Sequence, residues 1–161
     1  MASSGDKTCR LWDVHRCTVI STFRHRADVE SVDVKPGDES CIVSGDISGC
    51  ASVWDLRTDP GKGPTHTFTD SNGSDLNSVA YFPDGNYFAA GGEDAVVTLY
   101  DLRAYKPIQT FTDPKLTPRN DVSCYCTRLR LTAPYSRPMP HCCHPCHNRA
   151  VRLSSFLLPD V

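Results

Sequence analysis

The densest group of metal-ligating side chains lies near the C-terminus, where residues 141–147 read HCCHPCH. Imidazole and thiolate are the ligands that Zn²⁺ prefers, and a structural zinc site takes about four of them in a tetrahedron, usually as spaced pairs. Six candidates occupy these seven residues, so neighbouring side chains do not easily turn toward one ion. We therefore predict no metal site, and a zinc-binding tail is the alternative.

Patterns for catalysis are weak in the rest of the sequence. The run Gly91-Gly92-Glu93 is not a phosphate loop, because such a loop needs the pattern Gly-x4-Gly-Lys-Ser/Thr. The spacing of His, Cys and carboxylate residues indicates neither a nucleophile with its base nor a pair of catalytic carboxylates. We predict a protein that is not an enzyme and takes no cofactor.

Length and charge narrow the class of protein further. The chain has 161 residues, the length of one domain or of a piece of a larger one. Its net charge of −2 disfavours a nucleic-acid-binding domain that relies on overall positive charge. The sequence has no apolar run long enough for a membrane span and no secretory signal. The cysteines are therefore expected to be reduced thiols in the cytoplasm.

The elements that must position any functional residue follow a repeat. Aromatic-Asp pairs occur at residues 12–13, 54–55 and 100–101. Between them, the blocks at 29–34 and 76–81 alternate apolar and polar residues, which is typical of half-buried strands. Each block is followed by a turn signal of Pro, Gly and Asp. Each period thus supplies four short strands, the pattern of a WD40 β-propeller blade.

The sequence changes character after residue 112. Residues 1–112 carry 10 basic and 16 acidic side chains, whereas residues 113–161 carry 7 and 3, together with 7 of the 12 prolines. Proline interrupts strands, and basic Pro-rich segments generally stay disordered. We predict an all-β fold in which residues 1–112 form about two to three blades of a WD40 propeller, beginning just before the third strand of one blade. Residues 113–161 are predicted to be a disordered, irregular Pro/Cys/His-rich basic tail, with a further strand beginning in 121–126.

Three segments resemble the β subunit of heterotrimeric G proteins. They are residues 3–13 (SSGDKTCRLWD), 75–86 (DLNSVAYFPDGN) and 93–104 (EDAVVTLYDLRA). The resemblance implies a central fragment of a seven-bladed propeller that acts as a signal-transduction scaffold. It further implies binding of a GDP-bound α subunit and of effectors through one face.

The resemblance also implies roles for particular residues. The positions that match the α-subunit face are Asp28, Asp75, Asn77 and Glu93, while Glu30 stands where the family usually has an apolar residue. The positions that match the hydrogen-bonded network inside WD repeats are Asp6, Trp12, His25, Ser44, Trp54 and Asp94. In the second blade Ser48 occupies the Asp position, so we expect that network to lack a carboxylate. In the third blade Asn72 replaces the His and Tyr100 replaces the Trp.

Partners and location are implied in the same way. These residues include no coiled-coil helix, the segment that pairs with γ in the family, so the resemblance does not predict stable γ pairing. It implies a cytoplasmic protein held at the inner face of the plasma membrane through its partners. Two alternatives stay open: a generic WD40 adaptor of another complex, and a truncated product without autonomous function.

Overall fold

The structure, a computed structural model, describes residues 2–69, 73–112, 122–125 and 149–152, with side chains for 5–69 and 73–112. Strands dominate, and in the described residues the helical structure is one short 3-10 turn at Pro60–Lys62. The strands form three consecutive antiparallel sheets, followed by a two-stranded pair. The predicted all-β partial propeller is confirmed.

The first sheet has three strands in the order β1-β2-β3. They are β1 (Ala2–Ser4), β2 (Thr8–Asp13) and β3 (Thr18–Arg24). The sequence predicted that the chain begins just before the third strand of a blade. That prediction is wrong, because the third-strand position is β2, and β1 precedes it and pairs with it in antiparallel register. The turn between these strands uses Lys7 with φ +64°, a left-handed conformation that lets the chain reverse within few residues.

The second sheet has the order β4-β5-β6-β7. Its strands are β4 (Val29–Val34), β5 (Cys41–Asp46), β6 (Cys50–Asp55) and β7 (His66–Thr69). Each strand pairs with the next along the chain as an antiparallel neighbour, and the connection from β6 to β7 contains the 3-10 turn at Pro60–Lys62.

The third sheet repeats this arrangement. Its strands are β8 (Leu76–Tyr81), β9 (Tyr87–Gly92), β10 (Val96–Asp101) and β11 (Lys106–Thr112). They are again paired in sequence order, with β8 at one edge and β11 at the other. Four strands in each complete period confirm the repeat that the aromatic-Asp pairs predict.

Two short strands lie in the C-terminal segment. They are β12 (Val122–Tyr125), inside the range where a further strand was predicted to begin, and β13 (Arg149–Arg152), and they pair in parallel. The remainder of 113–161 lies outside the described residues, including the metal-ligand candidates of 141–147. Disorder of this tail, the boundary at residue 112 and the absence of a zinc site therefore stay predictions.

The core lies between the sheets, as expected of blades that cannot bury both faces alone. Alternation along β5 sends Ile42 toward the first sheet and Val43 toward the third. The interface of the first and second sheets contains Cys9, Phe23, Ile42 and Trp54. The interface of the second and third sheets contains Val43, Ala51, Val53, Phe68, Leu76, Val79, Tyr81, Phe88, Ala90 and Tyr100.

The inner strands of these two sheets are joined by hydrogen bonds. The backbone N–H of Val79 donates to Ser31 Oγ at 3.1 Å, and that of Tyr81 donates to Asp33 Oδ2 at 2.7 Å. Edge-strand N–H groups left without partners are a liability in any open sheet. Side chains of β4 therefore satisfy the edge of β8 and fix the position of one sheet against the next.

Candidate functional site: a rim of strand ends above a buried network

The residues that resemble the α-subunit face lie at one end of the stacked sheets. Strands β4 and β8 run in the same direction, because the partners Ser31–Val79 and Asp33–Tyr81 advance together along both strands. The starts of the two strands therefore lie at the same rim. Asp28 comes just before β4, and Asp75 just before β8. We call the set Asp28, Asp75, Asn77 and Glu93 the acidic rim.

A β-bulge lies at the same position in both strands. The pairing register shifts between Val29 and Ser31 in β4, and between Leu76 and Ser78 in β8. The residues passed over are Glu30, which is exposed, and Asn77, which is half-buried. Bulges redirect side chains at sheet ends and frequently lie beside functional sites. The bulge is thus the feature that distinguishes Asn77 from an ordinary strand residue.

Backbone hydrogen bonds tie the rim loops to neighbouring turns. The carbonyl of Asp28 accepts from the N–H of Ile47 at 3.0 Å, and the carbonyl of Asp75 accepts from the N–H of Glu93 at 3.3 Å. In each sheet, the segment before the first strand is thereby fixed to the turn between the second and third strands. Glu93 is exposed, while Asp28 and Asp75 are half-buried. The acidic side chains are therefore presented from a fixed backbone.

Below the rim, three of the predicted network residues are joined in the second sheet. Trp54 Nε1 donates to Ser44 Oγ at 2.9 Å, and Ser44 Oγ lies 3.1 Å from His25 Nε2. The Trp54 ring also lies against the rings of His25 and Phe23, with centroids 5.1 and 5.3 Å away. Such satisfied buried networks rigidify a fold, because each unmade bond is costly in a low dielectric.

The network contains a carboxylate that the sequence analysis missed. The expectation that Ser48 leaves it without one is wrong, since Asp46 Oδ2 lies 3.5 Å from His25 Nδ1. Asp46 Oδ1 also accepts from the N–H groups of Ser48 and Cys50 and from the Ser48 hydroxyl. Asp46 thus supplies the carboxylate from two residues before the expected position and also closes the turn that contains Ser48.

The signal for Asp46 was present in the strand period. Residues 44 and 46 are two apart on β5, so their side chains point to the same face. Burial alone would raise the pKa of the Asp46 carboxyl, but hydrogen bonds from His25, Ser48 and Cys50 hold that pKa below its usual value. The carboxylate is therefore the stable form in this buried position.

The third sheet is built differently at the equivalent positions. Tyr100 is buried and stacks on Phe88 across the strands, with centroids 4.9 Å apart and rings 12° from parallel. Asp94 Oδ1 accepts from the N–H of Val96 at 3.0 Å and so closes the turn between β9 and β10. Asn72, which stands at the His position, lies outside the described residues.

In the first sheet the two predicted network residues, Asp6 and Trp12, are exposed. Asp6 Oδ1 accepts from the N–H and the hydroxyl of Thr8, at 3.2 and 2.6 Å, and Asp6 Oδ2 pairs with Arg10. Trp12 is 43% exposed, whereas Trp54 is 1% exposed. The two tryptophans thus share a repeat position but differ in environment, because Trp54 packs against a neighbouring sheet.

In the part of the chain that the structure describes, the candidate site is a surface with carboxylates at its rim. Within that part of the chain, no group of three or more His, Cys, Asp or Glu side chains is placed to hold a metal ion. In the same residues, no helix is long and apolar enough to cross a membrane. Carboxylates on a fixed rim are suited to recognising complementary charge on a protein partner.

Comparison with known proteins agrees with this architecture. Residues 62–101 match the family described as WD domain, G-beta repeat. The match runs from the outer strand β7 of one sheet through β8, β9 and β10 of the next. The sequence repeat is therefore offset from the sheet by one strand, so that each sheet is completed by residues of two repeats. The fold and the repeat together define a WD-repeat protein of the β-propeller class.

Individual relatives narrow this class. The chain is 37% identical over 120 residues to guanine nucleotide-binding protein subunit beta-1 of Nicotiana tabacum, covering 71% of this chain and 31% of the relative. It is 38% identical over 120 residues to the subunit beta of Nicotiana plumbaginifolia, with the same coverage. It is 36% identical over 117 residues to that of Arabidopsis thaliana, covering 69% and 30%. The protein is thus a G-protein β-like WD-repeat protein that spans about a third of the length of these relatives.

Proposed function

We propose that this protein is a non-enzymatic signal-transduction scaffold that binds a G-protein α subunit in its GDP-bound form, and effectors, through the acidic rim. The observation that carries the proposal is the common placement of Asp28 and Asp75 before parallel inner strands, each held by a backbone hydrogen bond to a neighbouring turn. Its similarity to guanine nucleotide-binding protein β subunits supports this choice of partner.

The mechanism is surface recognition. Exposed and half-buried carboxylates steer a partner that carries basic residues, and charged pairs contribute most where water is excluded from the interface. Asn77 supplies an amide beside them, directed by the bulge in β8. Because the backbone is fixed, little conformational entropy is lost on binding. In this proposal the protein acts in the cytoplasm, at the inner face of the plasma membrane, through its partners.

The test is binding of the full chain to an immobilised, GDP-loaded α subunit. Asp75→Ala combined with Asn77→Ala is expected to weaken binding by roughly 10- to 30-fold, the loss typical of central interface residues. The Asp75 backbone carbonyl, which holds the loop, is retained in this variant. Surface plasmon resonance at low and physiological salt measures the affinity and its charge dependence.

The matched control uses the opposite end of the same sheet. Asp84 and Asn86 lie in the turn between β8 and β9 and bond to each other, and both are remote from the rim along the strand. Asp84→Ala with Asn86→Ala makes the same change in charge and is expected to leave binding unchanged. Absence of binding by the folded wild-type chain, or equal loss in both double variants, would overturn the proposal.

A further inference from the structure

A cavity of about 390 Å³ lies between the first and second sheets, beside the buried network. One wall is the segment Arg24-His25-Arg26, where the chain leaves β3. A second part of the lining comes from β6 and β7, where Ser52 is paired with Thr67 and Cys50 with Thr69. The volume is within the range of pockets that hold small ligands.

The arginine wall is positive in an otherwise acidic region. Residues 1–112 carry 10 basic and 16 acidic side chains, and two of the basic ones line this cavity. Both arginines are exposed. Other arginines of the same region are engaged, such as Arg57 with Asp55 and Arg103 with Asp101. Among the described residues, Arg24 and Arg26 have no such carboxylate partner, so their N–H groups are available to an anion.

The residues of β6 and β7 supply hydroxyl groups to the lining. Paired residues on neighbouring antiparallel strands point to the same side of the sheet, so Ser52 and Thr67 face the cavity together. Thr69 lies further along the same edge strand and its Oγ1 is 3.9 Å from Cys50 Sγ. Hydroxyls donate single hydrogen bonds in adjustable directions, while guanidinium groups donate paired ones. Together these groups suit an anion with several oxygens.

The lining also contains one carboxylate, Asp46, whose negative charge opposes an anion, but this group is buried whereas both arginines are exposed. Asp46 is buried, and its oxygens already accept from Ser48, Cys50 and the neighbouring His25. Hydrogen bonds that converge on a carboxylate stabilise its charge locally. The two exposed guanidinium groups are therefore the groups that an entering anion meets.

We propose that this cavity binds a phosphomonoester group, with Arg24 and Arg26 pairing with the phosphate oxygens and Thr67 and Ser52 donating from the other side. Phosphate carries close to two negative charges at neutral pH and three acceptor oxygens, which match guanidinium forks better than a single carboxylate does. The ligand is then a phosphorylated side chain of a partner peptide or a free phosphate ester. The cavity adjoins the acidic rim at Asp28, but this proposal does not rest on α-subunit binding.

The test measures binding of three probes to the full chain: inorganic phosphate, O-phosphoserine and a short phosphoserine peptide, with the unphosphorylated peptide for reference. Trp54 lines the cavity, so the NMR shift of its indole N–H reports occupancy and also shows that the variant is folded. Arg24→Gln and Arg26→Gln are each expected to weaken binding by roughly tenfold or more, as for hydrogen bonds to charged groups. Thr67→Val is expected to weaken it by a few-fold.

Matched controls exist for both walls. Arg16→Gln removes the same charge from the turn between β2 and β3, where Arg16 lies beside Asp13. Thr110→Val alters the equivalent edge strand of the third sheet, where Thr110 pairs with Thr98. Both controls are expected to bind as the wild type does.

The outcome also separates the sources of the phosphate. Tight binding of the phosphopeptide with weak binding of O-phosphoserine indicates a partner protein, and equal binding of both indicates a free phosphate ester. No shift of the Trp54 indole with any phosphorylated probe, or equal affinities in Arg24→Gln, Arg26→Gln and Arg16→Gln, would overturn the proposal.

Discussion

The second and third sheets have the same four-strand order but different interiors. In the second sheet, Trp54 is held by a hydrogen bond to Ser44, which continues to His25 and Asp46. In the third sheet, Ala90 and Tyr100 occupy the positions of Ser44 and Trp54, as the strand pairings show. Tyr100 packs instead against Phe88 and Phe68, at 4.9 and 5.0 Å between centroids.

The difference shows that one blade position admits two kinds of packing. A polar chain gives directional contacts and links the strand to the loop that carries His25. An aromatic cluster stabilises the interface mainly through buried area and van der Waals contact, and aromatic pairs prefer offset or tilted arrangements. The polar chain is stable only when every hydrogen-bond partner is present. The stability of the aromatic cluster depends on how well its side chains fill the space between the sheets.

The largest effect is expected when the small residues Ser44 and Ala90 are each replaced by the other type. Ser44→Ala leaves the Trp54 N–H and one His25 nitrogen buried without their partner. We expect a loss of about 2–4 kcal/mol in the free energy of unfolding, since each orphaned group costs about 1–3 kcal/mol. Ala90→Ser adds a hydroxyl to the aromatic cluster, and we expect it to cost about 1–3 kcal/mol. Urea denaturation followed by circular dichroism measures both.

A combined variant sharpens the result. If the interiors are independent, the costs of Ser44→Ala and Ala90→Ser add in the double variant. A negligible cost for Ser44→Ala would contradict the assignment of the polar chain as a structural element of the second sheet.

Gly92 tests the rim of the third sheet, because it occupies the place of Asp46 in the second. A Cβ at residue 92 would lie 2.1 Å from the carbonyl oxygen of Asp75, so the backbone must move. We expect Gly92→Ala to cost about 1–3 kcal/mol, the range for overpacked sites. Thermal unfolding of the variant measures this cost, and displacement of the Asp75 loop is expected to weaken α-subunit binding as well.

The control for this substitution is Gly5→Ala in the first turn. A Cβ there has its nearest neighbour, Asp28 Oδ2, at 3.9 Å, an ordinary contact distance. We expect a change within about 0.5 kcal/mol, as for surface positions. Equal stability of the two variants would mean that the close approach at Gly92 does not constrain the rim.

The smallest expected effect is in the pH dependence of the second sheet. The pKa of the Asp46 carboxyl is lowered in the folded state, so its contribution to stability is complete above the unfolded pKa of about 3.9 and is lost as the pH falls below that value. We expect Asp46→Asn to be less stable than the wild type between pH 5 and 7. The gap should narrow below pH 4, as the wild-type carboxylate becomes protonated.

The measurement is urea denaturation at pH 7, 5, 4 and 3 for both proteins. Other carboxylates with lowered pKa values, such as Asp55 and Asp101, are present in both chains, so their contributions cancel in the difference. Asp84→Asn changes an exposed turn and serves as the charge-matched control. A gap that stays constant with pH would show that the ionised carboxylate of Asp46 does not contribute.

The buried network shows where prediction from sequence succeeded and where it stopped. The resemblance to WD repeats implied a network of His25, Ser44 and Trp54, and these residues are joined in the structure. Because Ser48 stands at the Asp position of the repeat, we expected the network to lack a carboxylate, yet Asp46 supplies one. A repeat pattern fixes residues by their number along the chain, while a hydrogen bond depends only on which atoms meet in space.

The exposure of the two tryptophans could not be predicted from the sequence, for a similar reason. Trp12 and Trp54 have the same place in the repeat, but they are 43% and 1% exposed. Burial of a blade face is decided by the neighbouring sheet, which the local pattern does not contain. The bulges at Glu30 and Asn77 were also not foreseen, because an extra residue in a strand leaves the alternation on either side intact.

The sequence by itself determined the class of this protein. The period of the aromatic-Asp pairs, the alternation within each block and the turn residues fixed the strands and their antiparallel order, because these depend on neighbours along the chain. Only the tertiary structure decided that Asp46 completes the network, that Gly92 lies against the Asp75 carbonyl, and that Arg24 and Arg26 line one cavity with residues of β6 and β7. Those facts depend on how one sheet packs on the next, and packing is set by three-dimensional contact between residues far apart in sequence.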